Sequence, residues 1–432
     1  MTLIPILFWP SAEANKRLEV RPFEENNIWD RVESIVKDTR TRGNEALLEY
    51  TARFDGCTLT EAELRVSETE ITEAYASVDE EYLTALRQAK ENIQKFHELQ
   101  KRNDWFKQEE DGSLVGQIYR PMERVGIYVP GGTANYPSSV LMTALPAVVA
   151  GVREIVMVTP PGKDGKLPPA TLVAAKEAGV TEIYRLGGAQ AIAALAYGTA
   201  TIRGVDKIVG PGNSYVTLAK KMVYGTVGID MLAGPSEILI IGDGTVNPIY
   251  AAADLLSQAE HDNQARAVLV TPNEDWGRQV ARELEKQVEL LPRREIAQKA
   301  LQECGAIIVV KDLPEAYQVA NMVAPEHLEI LLQDPLAALG SIKHAGAVFL
   351  GPYSPEPIGD YWAGPNHVLP TSGTARYNSP LTVDDYCKRS SVISYTRQGL
   401  LQAAEAIQTL TKWENLEAHG RAIAVRIGEV GK

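Results

Sequence analysis

The sequence is poor in cysteine, in positive charge and in long apolar runs, and each shortage excludes a class of protein. The three cysteines, Cys57, Cys304 and Cys387, lie far apart in 432 residues, so neither a disulfide framework nor a thiolate zinc site is expected. The formal net charge of -13 would repel nucleic acid and anionic lipid, so neither is expected as a partner. No stretch reaches the roughly 20 apolar residues of a membrane-spanning helix. We expect a soluble, cytoplasmic protein.

The chain contains two series of strand-and-helix units. Helical periodicity over residues 28–100 gives way at Arg124 to short β-branched runs that end in Gly or Pro and precede Ala-rich helical stretches. A second series of the same kind begins at Glu237. This alternation is typical of parallel sheets with crossover helices. A chain of 432 residues also exceeds what one hydrophobic core usually supports.

The sequence therefore predicts an α/β fold with two doubly wound, Rossmann-like parallel-sheet domains, a helical N-terminal lead-in and a helical C-terminal tail. Residues 351–380 are rich in Pro, Gly, Tyr and Asn and lack periodicity, which indicates a functional loop. The predicted boundaries are an N-terminal arm at 1–25, a helical lead-in at 26–126 joined to the second α/β unit, a first α/β domain at 127–235, a second at 236–380 and the tail at 381–432.

Glycine turns follow several strands of the first series. Free backbone N–H groups at such turns, before a helix, are where a pyrophosphate binds in dinucleotide-binding folds. None of the turns spells G-x-G-x-x-G, and glycines also form tight turns for geometric reasons alone. Spacing by itself leaves both interpretations open. The turns are PGGTANYPSSV from Pro130, LGGAQAIAALAYGT from Leu186 and GPGNSYVT from Gly210.

Two pairs of polar residues in the second series have spacings that suit chemistry. Gln258 and His261 are three apart in a helical segment, so both could face one metal ion, although this spacing also arises by chance. Glu326 and His327 are adjacent at an element boundary and could divide general-acid and general-base roles. A surface pair that caps a strand is the alternative for Glu326 and His327.

Two further segments contain candidate residues near the carboxyl end. GDYWAGPNHVLPT, from Gly359, is a polar and aromatic loop with an Asp and a His, a composition found both in sites and in surface turns. WENLEAHG, from Trp413, places Glu414 and His419 near the end of a helix, where a histidine also interacts favourably with the helix dipole.

Read together, six segments of the chain resemble the histidinol dehydrogenase family. They occur in register over almost the whole chain, although each alone is a modest signal. The amino-terminal MTLIPILFWP matches no motif of the family. The six are VPGGTANYPSSVLM from Val129, GPSEIL from Gly234, DLLSQAEHD from Asp254, APEHLE from Ala324, GDYWAGPNHVLPT from Gly359 and WENLEAHG from Trp413.

The resemblance implies a zinc-dependent oxidoreductase of histidine biosynthesis. It would oxidise L-histidinol through L-histidinaldehyde to L-histidine and reduce two NAD. His327 would accept the hydroxyl proton, and Glu326 would activate the water that attacks the aldehyde. The zinc ligands it implies are Gln258, His261, Asp360 and His419.

The resemblance also implies the substrate, cofactor and subunit contacts. NAD contacts fall on Tyr128, Gln190 and Asn213, each beside a glycine turn, which assigns NAD to the first α/β domain and metal and catalysis to the second. The family forms homodimers whose tails cross, so that Glu414 and His419 complete the partner's site. The implied substrate contacts are Ser236, Gln258, His261, His327, Asp360, Glu414 and His419.

Three other functions remain open from the sequence. The first is a related metal-dependent dehydrogenase of another small alcohol, although Glu414 disfavours an anionic substrate. The second is a metallohydrolase in which the ion activates water and Glu326 is the base. The third is a binding protein without catalytic activity.

Overall fold

Strands and helices alternate along most of the chain, as the sequence predicts. The computed structural model describes residues 3–19, 28–131 and 135–428. The strands are β1 (Ile6–Phe8), β2 (Trp105–Gln108), β3 (Leu114–Pro121), β4 (Arg124–Tyr128), β5 (Glu154–Thr159), β6 (Glu182–Arg185), β7 (Lys207–Val209), β8 (Gly228–Ile229), β9 (Glu237–Gly242), β10 (Arg266–Thr271), β11 (Ala306–Val309), β12 (His327–Leu331), β13 (Ala347–Leu350) and β14 (Cys387–Ser394).

Most of the helices follow directly on a strand and its turn. Asn or Asp side chains cap several of them, for example Asn213, whose Oδ1 accepts from the backbone N–H of Tyr215 and Val216. The helices are α1 (Ala12–Leu18), α2 (Trp29–Arg42), α3 (Asn44–Phe54), α4 (Glu68–Ala76), α5 (Glu80–Glu98), α6 (Pro137–Ala150), α7 (Pro169–Glu177), α8 (Gly188–Tyr197), α9 (Ser214–Val223), α10 (Pro248–Ala259), α11 (Glu274–Val288), α12 (Arg294–Glu303), α13 (Leu313–Val323), α14 (Glu356–Tyr361), α15 (Arg397–Trp413) and α16 (Glu417–Ile427).

The first sheet consists of five parallel strands in the order β6-β5-β4-β7-β8. Successive side chains of a strand point to opposite faces. On β5, Ile155 and Met157 lie in one hydrophobic core, whereas Val156 and Val158 lie in another. Both faces of the sheet are therefore covered, which is the doubly wound arrangement that the sequence predicts.

The second sheet has six parallel strands in the order β1-β11-β10-β9-β12-β13. Its central strand β9 alternates in the same way, with Ile238 and Ile240 in one core and Leu239 and Ile241 in the other. The two parallel sheets confirm the predicted fold class.

The amino-terminal arm supplies the edge strand β1 of the second sheet, which the sequence analysis did not anticipate. Ile307 donates a backbone hydrogen bond to Pro5 at 2.9 Å, and Trp9 donates one to Val309 at 2.9 Å. A strand of three residues is too short for its alternation to be read from sequence. Residues 1–2 and 20–27 of the predicted arm and lead-in lie outside the described residues.

The lead-in helices pack against helices of the first sheet, whereas the sequence analysis joined the lead-in to the second α/β unit. Helix α2 packs on α8, α4 on α7 and α5 on α6. An amphipathic pattern shows that a helix has an apolar face, but it does not show which part of the protein packs against that face. The other domain boundaries stay predictions.

Residues 101–121 and 387–428 belong to a compact unit separate from the one that contains both parallel sheets. In this unit β14, β3 and β2 form an antiparallel sheet, and α15 packs on α16. The predicted helical tail thus contains a short 3-10 helix, Val383–Tyr386, and the strand β14 before its α-helices. Its residues 429–432 lie outside the described part. Within the described ranges no helix is both long and apolar enough to cross a membrane.

Candidate active site

The three candidate NAD residues follow the carboxyl ends of strands in the first sheet. Tyr128 ends β4, Gln190 lies in the first turn of α8 after β6, and Asn213 caps α9 after β7. The strand order changes direction beside β4, since β5 pairs on one side and β7 on the other. In open α/β sheets the crevice at such a point is the usual ligand site.

Tyr128 contacts both neighbouring glycine turns. The N–H of Gly188 donates to the Tyr128 hydroxyl at 3.2 Å. On the other side, a Cβ added to Gly210 would lie 2.2 Å from the Tyr128 carbonyl oxygen, so only glycine allows this approach. Burial raises the pKa of Tyr128 to about 12, so its hydroxyl keeps a proton to donate.

Gln190 carries a buried amide without a hydrogen-bond partner in the part of the chain that the structure describes. Its side chain is buried, and neither Oε1 nor Nε2 has a hydrogen-bond partner among the described residues. Buried amides are almost always paired, so this amide is a candidate contact for a polar ligand. The segment Gly132–Ala134 of the neighbouring turn lies outside the described residues.

The candidate catalytic pair stands at the amino end of the second sheet. His327 begins β12, and Glu326 directly precedes it. Both side chains bind the backbone of Glu237 on the adjacent strand β9. The Glu237 N–H donates to Glu326 Oε2 at 2.9 Å, and His327 Nδ1 lies 3.0 Å from the Glu237 carbonyl oxygen. One residue of β9 therefore fixes both groups.

These contacts determine the protonation of His327. A carbonyl oxygen only accepts, so Nδ1 carries the proton and Nε2 offers its lone pair. Burial lowers the pKa of His327 to about 3, which keeps the ring neutral. Burial raises the pKa of Glu326 well above its usual range, so this carboxyl is a stronger base than an exposed glutamate. The pair can accept protons from two different groups.

Two carboxyl groups and a second imidazole lie close to His327. Nitrogen or oxygen atoms of His327, Glu356 and Asp360 lie within 4.8 Å of one another and could hold a metal ion. His367 Nδ1 lies 3.6 Å from Asp360 Oδ1. Burial, with the Asp360 charge, raises the pKa of Glu356 to about 9. A bound cation would reverse this effect, because it favours the ionised form.

The candidate ligands Gln258 and His261 lie at the carboxyl end of α10, which packs against α14, the helix that contains Asp360. Gln258 is completely buried, and its amide has no partner in the described part of the chain. Burial lowers the pKa of His261, which favours its neutral ring. An unpaired oxygen, a neutral imidazole and a carboxylate are a donor set that fits zinc.

The remaining candidates differ in their placement. Ser236 directly precedes β9, and its carbonyl accepts from Arg266 N at 3.0 Å. Glu414 and His419 flank the junction of α15 and α16 in the other compact unit, where both are exposed. Their part in the site stays a prediction.

The sequence analysis did not propose Glu356, Glu329 or Asp254 as site residues, although all three are buried acids near the site. Glu329 Oε1 accepts from the Glu356 N–H at 2.8 Å, and the Glu329 and Asp254 carboxyls interact directly. One signal was present: Glu329 is an acid inside the apolar strand HLEIL, where an acid is costly without partners.

The two doubly wound sheets and the buried acid–base pair define an α/β enzyme. The sequence profile of the family described as histidinol dehydrogenase matches residues 19–427. A histidinol dehydrogenase of Heliobacterium mobile is 59% identical over 98% of this chain and 100% of its own, and one of Moorella thermoacetica is 55% identical over 96% and 98%. The crystal structure of a histidinol dehydrogenase from Elizabethkingia anophelis superposes with a TM-score of 0.95 at 38% identity and covers 100% of both chains. The chain belongs to the histidinol dehydrogenase family and is an oxidoreductase of histidine biosynthesis.

Proposed function

We propose that this enzyme oxidises L-histidinol through L-histidinaldehyde to L-histidine and reduces two NAD in the process. The observation that carries the proposal is the pair Glu326 and His327, both held by Glu237 and both able to accept a proton. Two oxidations need two such steps, one from the alcohol hydroxyl and one from the water that adds to the aldehyde.

His327 takes the first of these steps. Its Nε2 has no hydrogen-bond partner among the described residues, so the lone pair is free to accept the hydroxyl proton. Glu326 takes the second step and removes a proton from water. The β9 backbone holds both side chains, so their positions do not depend on a mobile loop.

Gln258, His261, Asp360 and His419 are the residues that would hold zinc. The Gln258 amide, which no described residue pairs with, supports the first of these ligands, because a buried amide without a partner costs free energy unless something binds it. Zinc, when bound, supplies a positive charge that orients the amino and imidazole nitrogens of the substrate. Ser236 and Glu414 are further substrate contacts, and Glu414 suits a cationic amino group.

NAD would bind at the carboxyl edge of the first sheet, in contact with Tyr128, Gln190 and Asn213. Two observations support this location: the Gln190 amide has no partner among the residues that the structure describes, and Tyr128 lies close to two glycine turns. We further propose a cytoplasmic homodimer in which the tail crosses to the partner, so that Glu414 and His419 complete the neighbouring site.

Product stoichiometry tests the proposed reaction. Purified enzyme, L-histidinol and NAD should give about two NADH per histidine, because one site performs both oxidations before release. Free aldehyde with one NADH would contradict the proposal. Oxidation of other small alcohols but not of histidinol would favour a related dehydrogenase. Cleavage of esters or amides without NAD reduction would favour the metallohydrolase.

A further inference from the structure

A buried ion pair lies next to the carboxyl ends of the strands of the first sheet. The ammonium of Lys220 on α9 contacts the carboxylate of Asp230, which follows β8, and their side chains are only 3% and 1% exposed. Desolvation makes such a pair costly, and apolar residues of similar size often stabilise a fold as well or better. Stability alone therefore does not explain these two charges.

Both side chains of the ion pair bind the backbone of Gly210. Lys220 Nζ donates to the Gly210 carbonyl oxygen at 2.9 Å, and the Gly210 N–H donates to Asp230 Oδ2 at 2.7 Å. Gly210 has a φ of 112°, which side chains rarely adopt. The ion pair thus holds both polar groups of a residue with an unusual backbone conformation.

Gly210 lies between two of the candidate NAD residues. It follows β7, packs directly against the Tyr128 carbonyl and precedes Asn213 by three residues. A change in the Gly210 backbone would shift the turn that presents Asn213 relative to Tyr128. Lys220 and Asp230 contact this turn from the protein interior.

We propose that Lys220 and Asp230 are positioning residues for the dinucleotide, which act by fixing the Gly210 turn in its binding conformation. The inference rests on the proposed NAD site at Tyr128 and Asn213. It requires that the pair contributes to NAD affinity separately from its effect on stability.

A double substitution separates these two effects. Single Lys220→Met leaves a buried, unpaired carboxylate and should lower both the melting temperature and NAD affinity. In Lys220→Met/Asp230→Leu neither charge remains, so part of the melting temperature should return, although the Gly210 N–H and carbonyl oxygen lose their side-chain partners. The Gly210 turn still lacks both side-chain contacts. The Kd for NADH, measured by calorimetry, should therefore stay about 10-fold or more above the wild-type value. The KM of histidinol should stay within about 2-fold of wild type.

The control is the ion pair between Arg124 and Glu182, at the opposite ends of strands in the same sheet, where the two side chains approach to 2.8 Å. Arg124 also contacts Glu154, at 2.6 Å. Arg124→Met/Glu182→Leu should change the melting temperature without changing the Kd for NADH. If the Lys220 double variant does not fold, Lys220→Met is compared with Arg124→Met at similar losses of melting temperature.

Three outcomes decide the inference. A Kd for NADH that recovers together with the melting temperature in the double variant overturns it. An equal weakening in the Arg124 control overturns it as well, because the effect is then general destabilisation. Wild-type protein that binds no NADH contradicts the proposed cofactor site itself, which distinguishes that failure from failure of the positioning role.

Discussion

Replacement of Glu326 tests whether its carboxyl is the base for the second oxidation. In Glu326→Gln the side-chain oxygen can still accept from the Glu237 N–H, a bond of 2.9 Å in the structure, but the amide cannot take a proton from water. General-base catalysis usually contributes about 100- to 10,000-fold. We expect aldehyde oxidation to slow by that factor, which corresponds to about 3–5 kcal/mol in the barrier.

The control variant Glu326→Ala separates chemistry from structure. It leaves the Glu237 N–H buried without an acceptor, which costs about 1–3 kcal/mol of folding free energy. The glutamine variant keeps this bond and also removes a carboxyl that is costly to bury. Its melting temperature should therefore equal or exceed that of wild type, whereas that of the alanine variant should fall.

The assay supplies histidinol or histidinaldehyde and follows NADH formation in single turnovers. Alcohol oxidation by Glu326→Gln should stay within about 10-fold of wild type, because His327 accepts that proton. Equal losses with the two substrates would refute the separate role of Glu326. A melting temperature as low as that of the alanine variant would refute the hydrogen-bond argument.

Two further variants test the metal site and the crossed tail. Gln258→Leu removes a buried amide that has no partner among the described residues, so metal-free protein should melt at the same or a higher temperature. Zinc affinity should fall by about 10-fold or more. Unchanged zinc affinity in a dialysis titration would exclude Gln258 as a ligand. His419→Ala and His261→Ala chains should each be inactive alone. When they are mixed and exchange subunits, about a quarter of wild-type activity should return, because one site of each crossed-tail heterodimer has all its ligands. No recovery despite exchange verified by mass spectrometry would contradict tail exchange.

Sequence patterns predicted the parts of the fold that depend on interactions between near neighbours in the chain. Apolar runs that end in glycine turns identified strands such as β4, β5 and β9, since strand alternation and tight turns depend on near neighbours in the chain. They did not reveal β1, which is too short, or the partner of the lead-in helices, which depends on which surfaces meet.

The candidate site divides in the same way. Residue types and spacing named Gln258, His261, Glu326 and His327 as candidates, and the family resemblance added Asp360. Glu237 holds Glu326 and His327 through its backbone N–H and carbonyl oxygen, and a motif of side chains cannot predict such backbone contacts. The placement of Glu356 beside His327 and Asp360 joins residues from two elements, and only folding brings them within 4.8 Å of each other.

By itself the sequence determined the order and type of the main elements, the α/β class and the family, because strand and helix periodicity and motif order are properties of the chain. Only the tertiary structure decided which nitrogen of His327 carries the proton and which buried amides lack a partner within the described ranges. These features depend on contacts such as the one between His327 and Glu237, 90 residues apart in sequence. Burial then sets their electrostatics, because the cost of a charge or an unpaired amide depends on the surroundings that the fold creates.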